Sequence, residues 1–124
     1  MPAPTLQDRA EGALLGAFVG DALGLGPHWY YDLAELRRDY GEWIADYADP
    51  KPGRYHAGLR AGQLSQAGFI LALALRSLVA CGGYDEADFC RRLDEELFPL
   101  LDGTPASGPG GYTSQSIREA WRRR

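Results

Sequence analysis

The chain has 124 residues, of which 45% are hydrophobic and 24% are charged, and this composition favours one folded domain over a disordered chain. Its formal net charge of -4 argues against non-specific binding to nucleic acid, which needs a basic surface. Asp21 and Arg76 interrupt the longest apolar runs, and no signal peptide is recognisable, so we expect no membrane role and a cytoplasmic protein with reduced cysteines at Cys81 and Cys90.

The first predicted element is a helix that begins near Leu6 and runs to about Leu23. Thr5 followed by Asp8 is typical of a capping box at a helix start. Apolar residues on nearly all sides predict that this helix lies in the centre of the core. Glycines recur at every fourth position and form one stripe, which predicts close approach by another helix or a ligand. These glycines are Gly12, Gly16, Gly20 and Gly24.

Asp21 lies near the end of this apolar helix, where an acidic side chain is rarely buried without a partner. One interpretation places it at a cleft that solvent, a cation or a ligand can reach. The alternative is structural, with the carboxylate accepting hydrogen bonds from neighbouring backbone amides. The residues alone leave both interpretations open.

Capping residues and apolar periodicity predict four further helices. They run from Leu33 to about Tyr40, from Gln66 after the cap Ser65 to about Ala80, from after the cap Asp85 to Pro99, and from Ser114 after the cap Thr113. The third of the five helices is apolar on nearly every face and is expected to be buried. Residues 41–62 read as a long irregular loop, a type that is often functional. No period of two supports a strand, so the predicted fold class is all-α.

Two stretches could form a binding site. His28 and His56 lie among aromatic residues that could make a platform for a planar ring such as adenine. These aromatic residues are Trp29, Tyr30, Tyr31 and Tyr55. The glycine-rich loop of residues 102–111 precedes the last helix, whose N-terminal amides could bind phosphate. Its spacing is neither that of a Walker motif nor that of a dinucleotide-binding fingerprint, and a plain connector is the alternative.

The segment Gly12–Gly24, G-A-L-L-G-A-F-V-G-D-A-L-G, resembles the opening helix of the ADP-ribosylglycohydrolase family. Gly62–Ser65 with the following apolar helix, and then Ser107–Ala120, resemble later blocks of that family in order and spacing. The resemblance implies the N-terminal part of an all-α helical bundle, so residues 1–124 are expected to form a single, incomplete domain. It also implies hydrolysis of the glycosidic bond between ADP-ribose and a protein side chain or a related acceptor. The expected partners are an ADP-ribosylated protein or a small ADP-ribose-like ligand, and self-association of the chain.

Members of this family use Mg2+ or Mn2+ held by carboxylates, two of which belong to a Thr-Asp-Asp-Thr block at the start of the apolar helix. In this chain the aligned residues read S-Q-A-G over 65–68, so both carboxylates are absent and no metal ligand is assigned. The enzyme hypothesis makes Asp21 catalytic and gives substrate binding to four residues. These are His28, Trp29, Ser65 and Gln66. The alternative is a non-catalytic binding or structural member of the family that has lost its binuclear metal site.

Overall fold

The computed structural model describes residues 3–106 and 108–124, and these form five α-helices and no β-strand. The helices are α1, Leu6–Gly24; α2, Leu33–Tyr40; α3, Gln66–Cys81; α4, Glu86–Arg92; and α5, Gln115–Arg122. The predicted all-α class is therefore confirmed. None of the helices in the described part of the chain is long and apolar enough to cross a membrane. Ser107, which belongs to the predicted glycine-rich loop and to a family-like block, lies outside the described residues.

Local hydrogen bonds set the helix boundaries close to where the sequence predicts them. Thr5 and Asp8 form the complete capping box of α1, since each side chain accepts the other residue's backbone N–H. Ser65 caps α3, and Gly82 ends it in the left-handed conformation that glycine adopts without strain. The last helix differs by one position, because Ser114 rather than Thr113 is its cap.

The helix predicted from the cap Asp85 to Pro99 is present, but it is not one regular α-helix. α4 continues into a π-helical turn, Leu93–Leu97, and then into a 3-10 turn, Phe98–Leu100. Phe98 keeps helical dihedral angles of -62° and -33°. Pro99 is tolerated because it lies in the first turn of the 3-10 segment, where its missing N–H has no helical partner to lose. Both Leu97 and Phe98 are buried as a result.

The hydrophobic core lies between α3, the turns after α4, and α5. Its buried residues are Leu73, Leu97, Phe98 and Leu101. Partly buried side chains pack around them: Phe69, Ile70, Phe89, Leu93, Ile117 and Trp121. The predicted burial of α3 is thus correct for the face that carries Leu73, whereas Val79 on its other side is 84% exposed.

Helix α1 is not central to this core, which corrects the sequence-based prediction. Most of its residues are exposed, and a Cβ added at any of its four stripe glycines would meet nothing within 4 Å. α1 meets α3 at its C-terminal end, where Ala22 is buried. The glycine that permits this contact belongs to α3, because a Cβ on Gly68 would lie 2.8 Å from Cγ of Asp21. Although α1 carries apolar residues on nearly all sides, its glycines do not lie at an interface.

We expect the Gly16→Ala variant to unfold at a higher denaturant concentration than the wild type. Open space surrounds Gly16, so alanine brings its better helix propensity, about 1 kcal/mol, without a clash. Gly16→Leu is expected to shift the midpoint in the same direction, whereas the close approach predicted from the glycine stripe would have made leucine destabilising. Urea denaturation followed by circular dichroism measures the shift. A lower midpoint for both variants would mean that this face of α1 is covered.

Candidate functional site

A cavity of about 400 Å3 lies where the first turn of α3 meets the loops before and after it. Its lining residues are His28, Tyr55, His56, Ser65, Gln66, Ala67, Ile70, Tyr112, Ser114, Ser116 and Ile117. The structure therefore brings together three of the four predicted substrate-binding residues, His28, Ser65 and Gln66. None of the described lining residues is Asp, Glu, Lys or Arg, so the cavity walls carry no fixed charge.

One wall of the cavity is aromatic and is organised around Tyr55. Its ring centroid lies 3.8 Å from that of Trp29, 3.8 Å from that of Tyr112 and 4.8 Å from that of His28, against which it stacks. Trp29, the fourth predicted substrate-binding residue, therefore joins the wall through Tyr55. Burial and a hydrogen bond with Tyr112 raise the pKa of Tyr55, so its phenol is neutral at physiological pH.

The composition of this wall differs from the prediction at three tyrosines. Tyr112 belongs to it but was missed, because it is far from Tyr55 in the sequence and approaches only through the loop before α5. Tyr30 does not belong, since its hydroxyl donates to Asp39 at 2.8 Å. Tyr31 is 86% exposed, and its ring lies 6.5 Å from that of Trp29.

Trp29 has a strained backbone, with a φ of 62°. Among the described residues it is the one non-glycine residue in the left-handed region, which bulky side chains rarely occupy. Such strain persists where the surrounding structure determines the conformation, and it is concentrated at functional sites. Here the contacts of the indole with the Tyr55 and Tyr112 rings hold the residue in place.

His56 is 3% exposed and its ring orientation is fixed by one hydrogen bond, between Nδ1 and the carbonyl oxygen of Gly110, at 2.8 Å. Because a carbonyl oxygen can only accept, Nδ1 carries the proton in the neutral ring. Burial lowers the pKa of His56, although the bond to Gly110 opposes this shift. Burial also lowers the pKa of His28, and the nearby His56 ring lowers it further. Both imidazoles are therefore neutral at pH 7.

The carboxylate of Asp21 is bound to the start of α3. It accepts the backbone N–H of Ser65 at 2.7 Å and the hydroxyl of Ser65 at 2.5 Å. The Ser65 hydroxyl oxygen in turn accepts the N–H groups of Ala67 and Gly68, which caps the helix. This arrangement is the structural interpretation of Asp21, in which neighbouring donors satisfy the carboxylate. Asp21 is not among the residues that line the cavity, and its catalytic role stays a prediction.

The side chain of Gln66 joins the starts of α3 and α5. Its Oε1 accepts the backbone N–H of Ser114 at 2.9 Å, and its Nε2 is buried without a partner in the described part of the chain. The Ser114 hydroxyl accepts the N–H of Ile117. Two amides at the start of α5 are therefore already bonded, which favours the connector interpretation of the glycine-rich loop over phosphate binding.

The first turn of α3 does not fit the pair of divalent cations that the family resemblance implies. Mg2+ and Mn2+ prefer carboxylate oxygens, whereas Gln66 and Ala67 are neutral and Asp21 is engaged by Ser65. Oε1 of Gln66 is engaged by Ser114, and its Nε2 is a donor that repels a cation. Over residues 3–106 and 108–124, no three His, Cys, Asp or Glu side chains are grouped so that they could hold a metal.

Comparison with protein families identifies the fold to which this cleft belongs. The family model for ADP-ribosylglycohydrolase matches residues 2–124, which includes the opening helix, the start of α3 and the aromatic wall. No curated protein and no solved structure matches the chain. The family is generally metal-dependent, and this chain departs from it at the first turn of α3. Since the match covers nearly every residue, the chain belongs to the ADP-ribosylglycohydrolase family.

Proposed function

We propose that this chain forms the ligand cleft of a hydrolase that acts on the glycosidic bond of an ADP-ribosylated protein or a related ADP-ribose adduct. The observation that carries the proposal is the cavity at the start of α3, with an aromatic wall around Tyr55 and an aliphatic side formed by Ile70 and Ile117. Its volume of about 400 Å3 is within the range of small-molecule sites. A slot between aromatic and aliphatic side chains suits a planar ring such as adenine.

The residues of the cleft take different parts in this proposal. The rings of Trp29 and His28, together with Tyr55, provide the surface on which the ring of the ligand stacks. Ser65 and Gln66 form the polar floor at the start of α3. Asp21 acts as a positioning residue, because it holds the backbone and the hydroxyl of Ser65 in place. Because the first turn of α3 does not fit divalent cations, we assign no step of the reaction to a metal-bound group.

A second candidate function is binding without hydrolysis. The neutral first turn of α3 favours it, since carboxylates that hold cations in the family are replaced by Gln66 and Ala67. The cleft persists in either case, so both candidates predict ligand binding. Release of free ADP-ribose from an ADP-ribosylated protein would support the hydrolase, and saturable binding without release would support the binding protein.

The proposed partners are an ADP-ribosylated protein or a small ADP-ribose-like ligand. Cys81 and Cys90 are free thiols, which agrees with the cytoplasmic location that we propose. Self-association is proposed from the apolar side chains that α1 exposes, which include Leu6, Leu15 and Val19.

Titration with ADP-ribose tests the proposed cleft. We expect saturable binding by calorimetry, unchanged by EDTA, and a loss of about tenfold in affinity for Tyr55→Ala because one stacking surface is removed. Tyr84→Ala is the matched control, since this tyrosine is 75% exposed and is not among the residues that line the cavity. Absence of ADP-ribose binding to the wild-type chain would overturn the proposal. Equal losses for the two variants would place the ligand elsewhere.

A further inference from the structure

His56 contributes more to the cleft than one ring of its aromatic wall. We propose that Nε2 of His56 is the hydrogen-bond acceptor by which the cleft selects a planar ring that carries an amino group over the same ring without it. The inference rests on the proposed function, because it names the feature of the ligand's base that this site reads.

The tautomer of His56 is fixed by the fold. Nδ1 donates to the Gly110 carbonyl oxygen at 2.8 Å, which leaves the lone pair on Nε2. Gly110 is itself held tightly, because its α-carbon packs against the backbone where Ser65 joins Gln66. The proton therefore cannot move from Nδ1 to Nε2 without breaking the hydrogen bond to Gly110. In the described part of the chain, Nε2 forms no hydrogen bond and is not one of the fully buried polar atoms that lack a partner, so it is accessible from the cavity that His56 lines.

The other polar groups in the cavity are engaged or neutral. The Tyr55 and Tyr112 rings lie 3.8 Å apart and interact with each other, and the Ser114 and Ser116 hydroxyls lie 3.1 Å apart and form a second pair. No described lining residue carries a fixed charge, so the cavity lacks the cationic groups that a phosphate requires. The uncharged base of the proposed ligand, with a donor to offer to Nε2 of His56, therefore fits these walls better than its phosphate groups do.

The acceptor is present only while His56 is neutral. The titratable groups around it are His28, at a centroid distance of 5.0 Å, Tyr55, at 4.8 Å, Tyr112 in the same aromatic wall, and Asp21. Burial depresses the pKa of His56 below 6.5, and Asp21 opposes this shift. The neutral form therefore predominates above that lowered pKa. As the pH falls through it, Nε2 becomes a donor and the selectivity for an amino group is lost.

Adenosine and purine riboside test the inference, because they differ only in the amino group of the base. At pH 7.5 we expect the chain to bind adenosine about fivefold more tightly, the value of one neutral hydrogen bond. The ratio should fall towards one as the pH falls through the lowered pKa of His56. His56→Asn, whose amide can still donate to Gly110, should also give a ratio near one. Tyr84→Ala is the matched control and should keep the ratio, since Tyr84 is exposed and is not among the residues that line the cavity.

The outcomes separate this inference from the proposed function. Equal affinities for the two nucleosides at pH 7.5 would overturn the inference, even if ADP-ribose binds. Preference for adenosine without any binding of ADP-ribose would overturn the proposed function alone. Absence of binding by either nucleoside would overturn the inference as well. If His56→Asn fails to fold, the pH dependence of the wild-type ratio decides, because acid should remove the preference without any substitution.

Discussion

Replacing Gly110 with alanine is expected to lower the free energy of unfolding by about 2–5 kcal/mol. Two effects add at this position. Gly110 has a φ of 85°, a backbone conformation that is strained for alanine. The new Cβ would also lie 2.6 Å from the carbonyl carbon of Ser65 and 2.8 Å from Cα of Gln66. These neighbours are backbone atoms at the start of α3 and cannot move aside as a side chain can. The displaced loop would also take the Gly110 carbonyl away from His56, so ligand binding should weaken.

Gly53→Ala is the control for the effect of Gly110→Ala. Gly53 has a similar φ of 76°, but nothing lies within 4 Å of its Cβ position. Its replacement should therefore cost only the conformational strain, about 1–2 kcal/mol. Urea denaturation of both variants separates strain from overpacking. Equal losses of stability would show that the glycine-rich loop does not pack on the start of α3 as described.

Replacing Asp21 with alanine is expected to destabilise the chain by about 2–4 kcal/mol. The substitution removes the acceptor of two Ser65 donors, and the bonds to a charged group are stronger than neutral ones. It also removes the link between α1 and the first turn of α3. Asp8→Ala is the matched control, because it removes an exposed capping interaction within α1 and should cost only about 1 kcal/mol.

A double-mutant cycle sharpens the test of Asp21. In the wild type, Gly68→Ala should be destabilising, because the new Cβ would lie 2.8 Å from Cγ of Asp21. In the Asp21→Ala background the obstructing carboxylate is absent, and the better helix propensity of alanine should offset most of the cost. Denaturation midpoints of the four proteins give the coupling energy. If Gly68→Ala has the same effect in both backgrounds, the Asp21 carboxylate is not packed against α3.

The accuracy of the sequence-based predictions depended on how local the deciding interactions are. The starts of α1 and α3 were predicted correctly because Thr5 and Ser65 cap them through hydrogen bonds to residues two or three positions away. The end predicted at Pro99 lies within the last helical turn, Phe98–Leu100, but the change of helix type before it was not predicted. The change to π and 3-10 turns, which brings Leu97 and Phe98 into the core, depends on packing against α3 and α5.

In the candidate site, too, features set by nearby residues were predictable and those set by packing between distant segments were not. A cluster of His28, Trp29 and Tyr55 was predictable because aromatic residues are concentrated in two nearby segments of the chain. Tyr112 was not, since nothing in the sequence around it indicates that the loop before α5 returns to Tyr55. The two interpretations of Asp21 also could not be separated, because its partner, Ser65, comes from another helix.

The sequence by itself determined the all-α class, the helix starts and the family, because these follow from caps, apolar periodicity and motifs that are continuous in the chain. Only the tertiary structure decided that the α1 glycines face open space and that the glycine needed for close contact is Gly68 of α3. It also decided which nitrogen of His56 carries the proton, through the carbonyl of Gly110. The physical reason is that steric contact and hydrogen-bond partnership between distant segments depend on how the elements pack, and periodicity within one element does not encode that packing.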